Sequence, residues 1–288
     1  MRMHSADPRD FIARLEADST LFEPDQLRRR MDALDRLDQL DRWTEDPSDQ
    51  RAGALRAKLE AVNAGLYAAI RNQIRSGDAR SALLPWIERC AELPDREPAG
   101  LRYDGLDELI AGVLQLHEPD RTPDSAALHR TPEMVFYQPT PVRHILEMLR
   151  LCALSAADVL IDLGSGLGHV PILASLLTGA RCIGIEIEPA YVAAAQDCAR
   201  RLSLRRVAFK QQDALEADLS TGTVFFLYTP FTGSILDTVL RRLRHESARR
   251  PIRICTFGPC TLALAQQPWL TPHAAPANDR MILFQARA

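Results

Sequence analysis

The sequence predicts a doubly wound, mostly parallel α/β sheet preceded by an all-α domain. Three observations carry this expectation. From residue 140 onward, short apolar runs of strand length alternate with helix-length amphipathic segments, the order that builds a parallel sheet covered on both faces. In the first 117 residues, apolar side chains recur at helical spacing and never with strand alternation. Between these regions the chain is broken by prolines. The expected division is a helical domain at 1–117, a proline-rich linker or lid at 118–139, and a ligand-binding domain at 140–288.

In the helical part, DFIARLEAD is a short amphipathic stretch. PDQLRRRMDALDRLDQLDRW places Leu27, Met31, Leu34, Leu37 and Leu40 on one stripe. A further helix is expected to start at Asp46–Pro47, bury Leu55, Leu59, Val62 and Ile70, and stop at Ser76–Gly77. Shorter helices are expected near 79–92 and 104–116. Residues 118–141, EPDRTPDSAALHRTPEMVFYQPTP, cannot hold a regular helix over most of their length. They read either as a linker or as an ordered lid that delivers Tyr137 and Thr140 to the next domain. Thr140 is expected to cap a helix with Pro141 at its first position. Strands are then expected at 159–163, 181–186, 206–210, 223–228 and 251–257, with a final strand at MILFQAR pairing near 269–273. Helices are expected at 168–178, 189–202, 233–246 and 259–267.

Composition is that of an ordinary globular chain, with 46% hydrophobic and 25% charged residues and a net charge of −3. No global basic field points to nucleic acid, although the arginines at 200, 201, 205 and 206 and at 241, 242 and 244 form local clusters; these read as solvated helix faces. No apolar run approaches the ~18 residues of a membrane span, and MRMHSADPRD has no signal-peptide core, so a cytoplasmic location is expected. The six cysteines have no metal-ligand spacing. They read as reduced core residues, and no metal is expected.

The stretch VLIDLGSGLGHVPI, residues 159–172, runs from a buried strand through glycines at 164, 166 and 168 into a helix. Such a turn lets backbone approach a ligand closely and offers unpaired N–H groups at the helix start. Glu186 ends the second strand, where a carboxylate can accept from a ribose diol. Asp213 follows the third, placed to accept from an exocyclic amine. The spacing GxGxG differs from the dinucleotide fingerprint GxGxxG, and no phosphate-binding GxxxxGK[ST] is present. Asp162, just before the glycines, is unfavourable beside a pyrophosphate and favourable beside the ammonium of an amino-acid moiety. A nucleoside joined to an amino acid through a sulfonium, S-adenosylmethionine, satisfies all of these demands.

On these residues the chain resembles the seven-stranded, Rossmann-like S-adenosylmethionine-dependent methyltransferases, over roughly residues 135–288. The resemblance implies that Asp162, Gly164, Ser165, Gly166 and Glu186 line the cofactor pocket, with Asp213 near the adenine. Locally, DLGSGLGHV, the segment Tyr137-Gln-Pro-Thr140 and VFFLYTPF are similar to Dot1-type methyltransferases. His169 stands where those have Gln, and Tyr228-Thr229 where they have an Asn pair. This implies that Tyr137 and Thr140 lie over the cofactor and that Tyr228 borders the methyl site.

The expected activity is in-line methyl transfer, with alignment and water exclusion as the main task. Tyr228 and Tyr137 are the candidate catalytic residues. Phe231 with Pro230 could wall the acceptor site, His169 could act as a base, and His129 could belong to the lid. A protein side chain is favoured as acceptor over a small molecule. Nucleic acid is disfavoured, and the oligomeric state is left open. A non-catalytic cofactor-binding regulatory protein is the alternative from another class; a nicotinamide dehydrogenase is disfavoured by the glycine spacing.

Overall fold

The computed structural model describes residues 8–43, 50–91, 104–119, 133 and 137–286. Five helices come first: α1 (Pro8–Ala17), α2 (Leu27–Trp43), α3 (Gln50–Arg75), α4 (Ala79–Ala91) and α5 (Gly105–Leu114). The expected start of α3 at Asp46–Pro47 lies outside the described residues, as do the side chain of Leu40 and most of the proline-rich segment. At its other end α3 stops at Arg75, and Gly77 takes φ +96°. Leu27, Met31 and Leu37 of the α2 stripe are buried. So is Arg30 on the same helix. Its guanidinium is satisfied by Asn63 Oδ1 (2.6 Å) and by the carbonyls of Leu21, Glu23 and Pro24.

The helix α6 (Val142–Cys152) leads into β1 (Val159–Leu163), α7 (His169–Thr178), β2 (Arg181–Glu186), α8 (Pro189–Arg201), β3 (Val207–Gln211), β4 (Val224–Tyr228), α9 (Gly233–Ser247), β5 (Arg253–Phe257), α10 (Cys260–Ala265), β6 (Leu270–Pro272) and β7 (Ile282–Ala286). These strands form one seven-stranded sheet, ordered β3-β2-β1-β4-β5-β7-β6. Neighbours from β3 to β5 run parallel; β7 is antiparallel to both β5 and β6. The order reverses between β1 and β4, so a crevice opens at the carboxyl ends of those two strands, where open sheets bind ligands.

Strand side chains divide between the two faces with period two. Leu160, Phe226, Cys255 and Leu283 face one core, shared with α6, α7 and α8. Ile161, Phe225, Leu227, Ile254 and Phe284 face the other, shared with α9 and α10. The first core continues outward into Leu83, Ile87, Leu109 and Val113 of α4 and α5, so those helices make a further layer on that face. A smaller cluster ties α1, α2 and α3 together around Leu21, Leu37, Leu55 and Leu59. All six cysteines are buried and free. Among the described residues no helix is long and apolar enough to cross a membrane.

The start of α6 departs from expectation. Pro141, not Thr140, holds the cap position, and it makes no side-chain cap bond. Asp107 Oδ1 accepts from Val142 N instead (2.8 Å), so the cap comes from α5. Thr140 is buried one residue earlier.

Candidate active site

After β1 the chain turns back onto the end of β2. Gly164 N and Ser165 N both donate to the Ile185 carbonyl (2.9 and 3.0 Å), and Gly166 N donates to Glu186 Oε2 (2.8 Å). Two glycines here are fixed by space as well as by torsion. Gly164 has φ +82°, and a Cβ on it would lie 2.3 Å from Pro230 Cβ. Gly166 has φ +51°, and a Cβ there would lie 2.0 Å from the Tyr137 ring. The turn is therefore clasped between the loop after β4 and the segment before α6.

Three acids gather at this point. Asp162 is 3% exposed and stands in register between Gly184 and Phe226. Burial, and then the nearby Glu186, hold its carboxyl well above the usual range. Burial also raises Glu186, against the three N–H groups it accepts: Gly166, Ile187 (2.8 Å) and Glu188 (2.9 Å). Glu188 is itself buried beside it. Asp213 stands one strand further out, half-buried, with Oδ1 accepting from Leu215 N at 2.8 Å.

Tyr137 is half-buried over the glycine turn. Its ring packs on Tyr191 with centroids 4.9 Å apart, and its hydroxyl lies 3.4 Å from His169 Nδ1. His169 opens α7, and burial pushes its imidazole down to about 4, so it is neutral at neutral pH. Tyr228 ends β4 half-buried, edge-on to Phe257 at 5.1 Å, with its phenol raised by burial. The next residue, Thr229, takes φ +37°. Its Oγ1 donates to the Phe257 carbonyl (2.9 Å) and accepts from Cys260 N (3.2 Å), which sets Pro230 against Gly164. Phe231 does not wall the site: it is 5% exposed and packs in the α9–α10 core. His129 lies outside the described residues.

A cleft of about 650 Å³ opens beside Tyr137, Thr140 and His169. Its lining includes Asp32 and Asp35 of α2, Asp104, Asp107 and Glu108 at the start of α5, and Glu118. Arg28 is the one guanidinium among the described lining residues. Some of these carboxylates are engaged. Asp104 caps α5 and pairs with Arg143, Asp107 caps α6, and Glu118 accepts from the Tyr191 hydroxyl at 2.7 Å. Surrounding protein, and then Asp35, Asp32 and Asp38, push Glu108 up to about 7.

Three features escaped the sequence. Glu188 had a signal, as a second acid two residues past Glu186. Glu133 had none: it lies in the proline-rich segment, yet its carboxylate accepts from Ser234 N (3.0 Å), Ile235 N (3.3 Å) and the Ser234 hydroxyl (2.8 Å) at the start of α9. The acidic cleft draws on residues more than a hundred positions apart, which no local pattern reveals.

A methyltransferase-domain family model matches residues 154–246, from just before β1 into α9. No curated protein matches the chain. Among solved structures, an RNA methyltransferase from Salinibacter ruber in complex with S-adenosylhomocysteine is similar at 30% identity, over 52% of this chain and 92% of its own, with a TM-score of 0.41. Precorrin-6y C5,15-methyltransferase from Geobacter metallireducens is similar at 20% identity, over 54% of this chain and 94% of its own, with a TM-score of 0.41. With a relative 30% identical across 92% of that relative's length, and a methyltransferase-domain match laid over the glycine turn and the strands after it, the chain belongs to the class I S-adenosylmethionine-dependent methyltransferases.

Proposed function

We propose that the acceptor of this methyltransferase is a positively charged side chain of a protein. The acidic cleft carries the proposal. Six carboxylates line it with Arg28, and it adjoins Tyr137 and His169 beside the glycine turn. Asp104 is paired with Arg143 and Asp32 with Arg28, which leaves Asp35, Asp107, Glu108 and Glu118 without a cationic partner among the described residues. Such a lining attracts a cation and repels a polyphosphate. Exposed Asp32 and Asp35 on α2 extend the same charge to the surface, where a flanking peptide can rest.

The residues at the strand ends fit the donor. The buried carboxyl of Asp162 suits its ammonium group. Glu186 keeps an acceptor position on Oε2 for a ribose hydroxyl. Asp213 has a second oxygen for the adenine amine. The main chain of Gly164, Ser165 and Gly166 permits close approach, and Ser165 Oγ is buried without a hydrogen-bond partner among the described residues. Tyr137 and Thr140 cover the donor, and Tyr228 borders the methyl group. When bound, S-adenosylmethionine supplies an electrophilic sulfonium methyl.

The chain's own work is orientation and proton handling. A cationic amine must lose a proton before it can attack. Glu108, exposed to the cleft beside Asp32 and Asp35 and raised from the usual carboxylate range, is placed to accept that proton at a carboxylate oxygen. His169, neutral and at about 4, is a weak base; its Nδ1 is suited to orienting the Tyr137 hydroxyl.

Labelled S-adenosylmethionine incubated with a cell extract and the full-length chain tests this. Label in the protein fraction at lysine or arginine, reduced at least tenfold by Asp35→Asn/Glu108→Gln, supports it. Label confined to nucleic acid or to small molecules overturns the acceptor, and no label with a folded, cofactor-binding protein favours a regulatory role.

A further inference from the structure

Two acids stand at the end of β2, and they are satisfied very differently. Glu186 accepts three backbone N–H groups, two on Oε1 and one on Oε2. Glu188 is 6% exposed, and its Oε1 is buried with no hydrogen-bond partner among the described residues. It holds the cap position of α8, where a side chain would ordinarily accept from the first turn, but it makes no such bond. Pro189 follows at the first helical position, where it removes one of the donors.

A buried carboxylate oxygen without a donor is costly, and native structures keep such atoms where a ligand or water completes them. Glu188 also lies close enough to Glu186 to raise it by repulsion. Two acceptors that repel each other at the end of β2 call for two donors between them, and a vicinal diol supplies two adjacent O–H groups. We propose that Glu188 is a second binding residue for the ribose diol of the cofactor: Glu186 accepts one hydroxyl at its remaining Oε2 position, and Glu188 Oε1 accepts the other. This rests on the placement of the nucleoside at the end of β2 argued above.

Calorimetry with S-adenosylhomocysteine and its 2′-deoxy and 3′-deoxy analogues, on wild type and Glu188→Gln, tests it. Thermal unfolding of the ligand-free proteins runs alongside. The expected result is a loss of about tenfold or more in S-adenosylhomocysteine affinity for Glu188→Gln. One deoxy analogue, lacking the hydroxyl that Glu188 takes, should bind wild type and variant alike. The ligand-free variant should melt at or above the wild-type temperature, because the repulsion between the two acids has gone; a residue serving only as a helix cap would lower it. Unchanged affinity, or an equal loss for all three ligands, overturns the proposal. If wild type does not bind S-adenosylhomocysteine at all, the nucleoside placement fails first and takes this assignment with it. Glu188→Ala repeats the comparison without the residual acceptor of the amide.

Discussion

The ring of Tyr137 fills the space a side chain at Gly166 would occupy. A Cβ built on Gly166 falls 2.0 Å from Tyr137 Cε2, and the backbone there sits at φ +51°. Gly166→Ala therefore meets two penalties, about 1–2 kcal/mol for the left-handed torsion and a steric clash that pushes Tyr137 off the turn. We expect a melting temperature several degrees lower and S-adenosylhomocysteine affinity reduced at least tenfold. Tyr137→Ala in the same chain should recover part of the stability without recovering affinity, because the torsional penalty stays and the cover is gone. Full recovery of both by the double variant would show that the ring only fills space.

Asp162 predicts a pH dependence with a definite sign. Its folded-state carboxyl is held well above the ordinary value by burial and by Glu186. The neutral form is thus favoured on folding. That contribution is complete below the ordinary carboxylate range near about 4 and is lost as pH rises through the raised value. The ligand-free protein should lose stability as pH rises across this window. In the proposed site the donor's ammonium favours ionised Asp162, so affinity for S-adenosylmethionine should increase with pH over the same range. Asp162→Asn should flatten the stability profile, raise the melting temperature at the alkaline end and weaken S-adenosylmethionine binding. Thermal unfolding and calorimetry at several pH values check both signs; wild-type affinity in Asp162→Asn would remove the residue from the site.

Much of this architecture was legible because it is written in local periods. The span of β2, Arg181–Glu186, matches its sequence expectation, and so does the pairing of the tail strand with residues near 270. A buried parallel strand is an apolar run bounded by breakers, and nothing distant has to be known to see it. The glycine turn was legible for a related reason: its torsions admit little else. What failed were features whose partner is remote in sequence. Thr140 looked like a cap because Ser and Thr are good caps, but Val142 N is satisfied by Asp107, 35 positions away. Phe231 looked like a site wall because it follows Tyr228 so closely. The positive φ of Thr229 and the turn through Pro230 send it into the opposite core.

Glu133 gives a test of how the segment before α6 is anchored. Its carboxylate accepts from the Ser234 and Ile235 N–H groups, and its own carbonyl accepts from Thr232 N at 2.8 Å. These bonds hold its carboxyl below the usual range. Its stabilisation is present above the ordinary carboxylate value and lost as pH falls through the depressed one. Glu133→Gln should lower the melting temperature modestly at neutral pH and converge with wild type under acid conditions. Hydrogen exchange at the Ser234 and Ile235 amides should rise in the variant; unchanged protection there would show that the cap is dispensable.

Arg30 should matter to the helical layer out of proportion to its position on a charged helix. It is fully buried, and its guanidinium serves Asn63 Oδ1 and three carbonyls in the turns before α2. Removing it leaves two buried acceptors, Asn63 Oδ1 and the Leu21 carbonyl, without a donor, each costing about 1–3 kcal/mol when unsatisfied, though not additively. It also frees the part-buried carbonyls of Glu23 and Pro24. Arg30→Ala should therefore destabilise by about 3 kcal/mol or more in urea unfolding. Arg30→Lys should recover little, because an ammonium cannot reproduce the fork. A cost below about 1 kcal/mol for Arg30→Ala would show that the turns before α2 re-form around water.

Thr229 joins strand geometry to the methyl site proposed at Tyr228. A β-branched residue at φ +37° is strained, by about 1–3 kcal/mol. It is held there by bonds from Oγ1 to the Phe257 carbonyl and from Cys260 N to Oγ1. The same geometry sets Tyr228 against Phe257 and lays Pro230 on Gly164. Thr229→Val keeps the shape and loses both bonds, leaving buried Cys260 N without that acceptor and the Phe257 carbonyl with the long Cys260 Sγ contact (3.7 Å). We expect a loss of about 1–3 kcal/mol and a fall in kcat larger than any change in cofactor affinity, because Tyr228 shifts while the strand-end acids do not. Thr229→Ser keeps the hydroxyl and relaxes the branch, so it should match or slightly exceed wild-type stability with activity retained. If Thr229→Val lowered cofactor affinity and kcat in equal measure, the loop would be holding the glycine turn rather than positioning Tyr228.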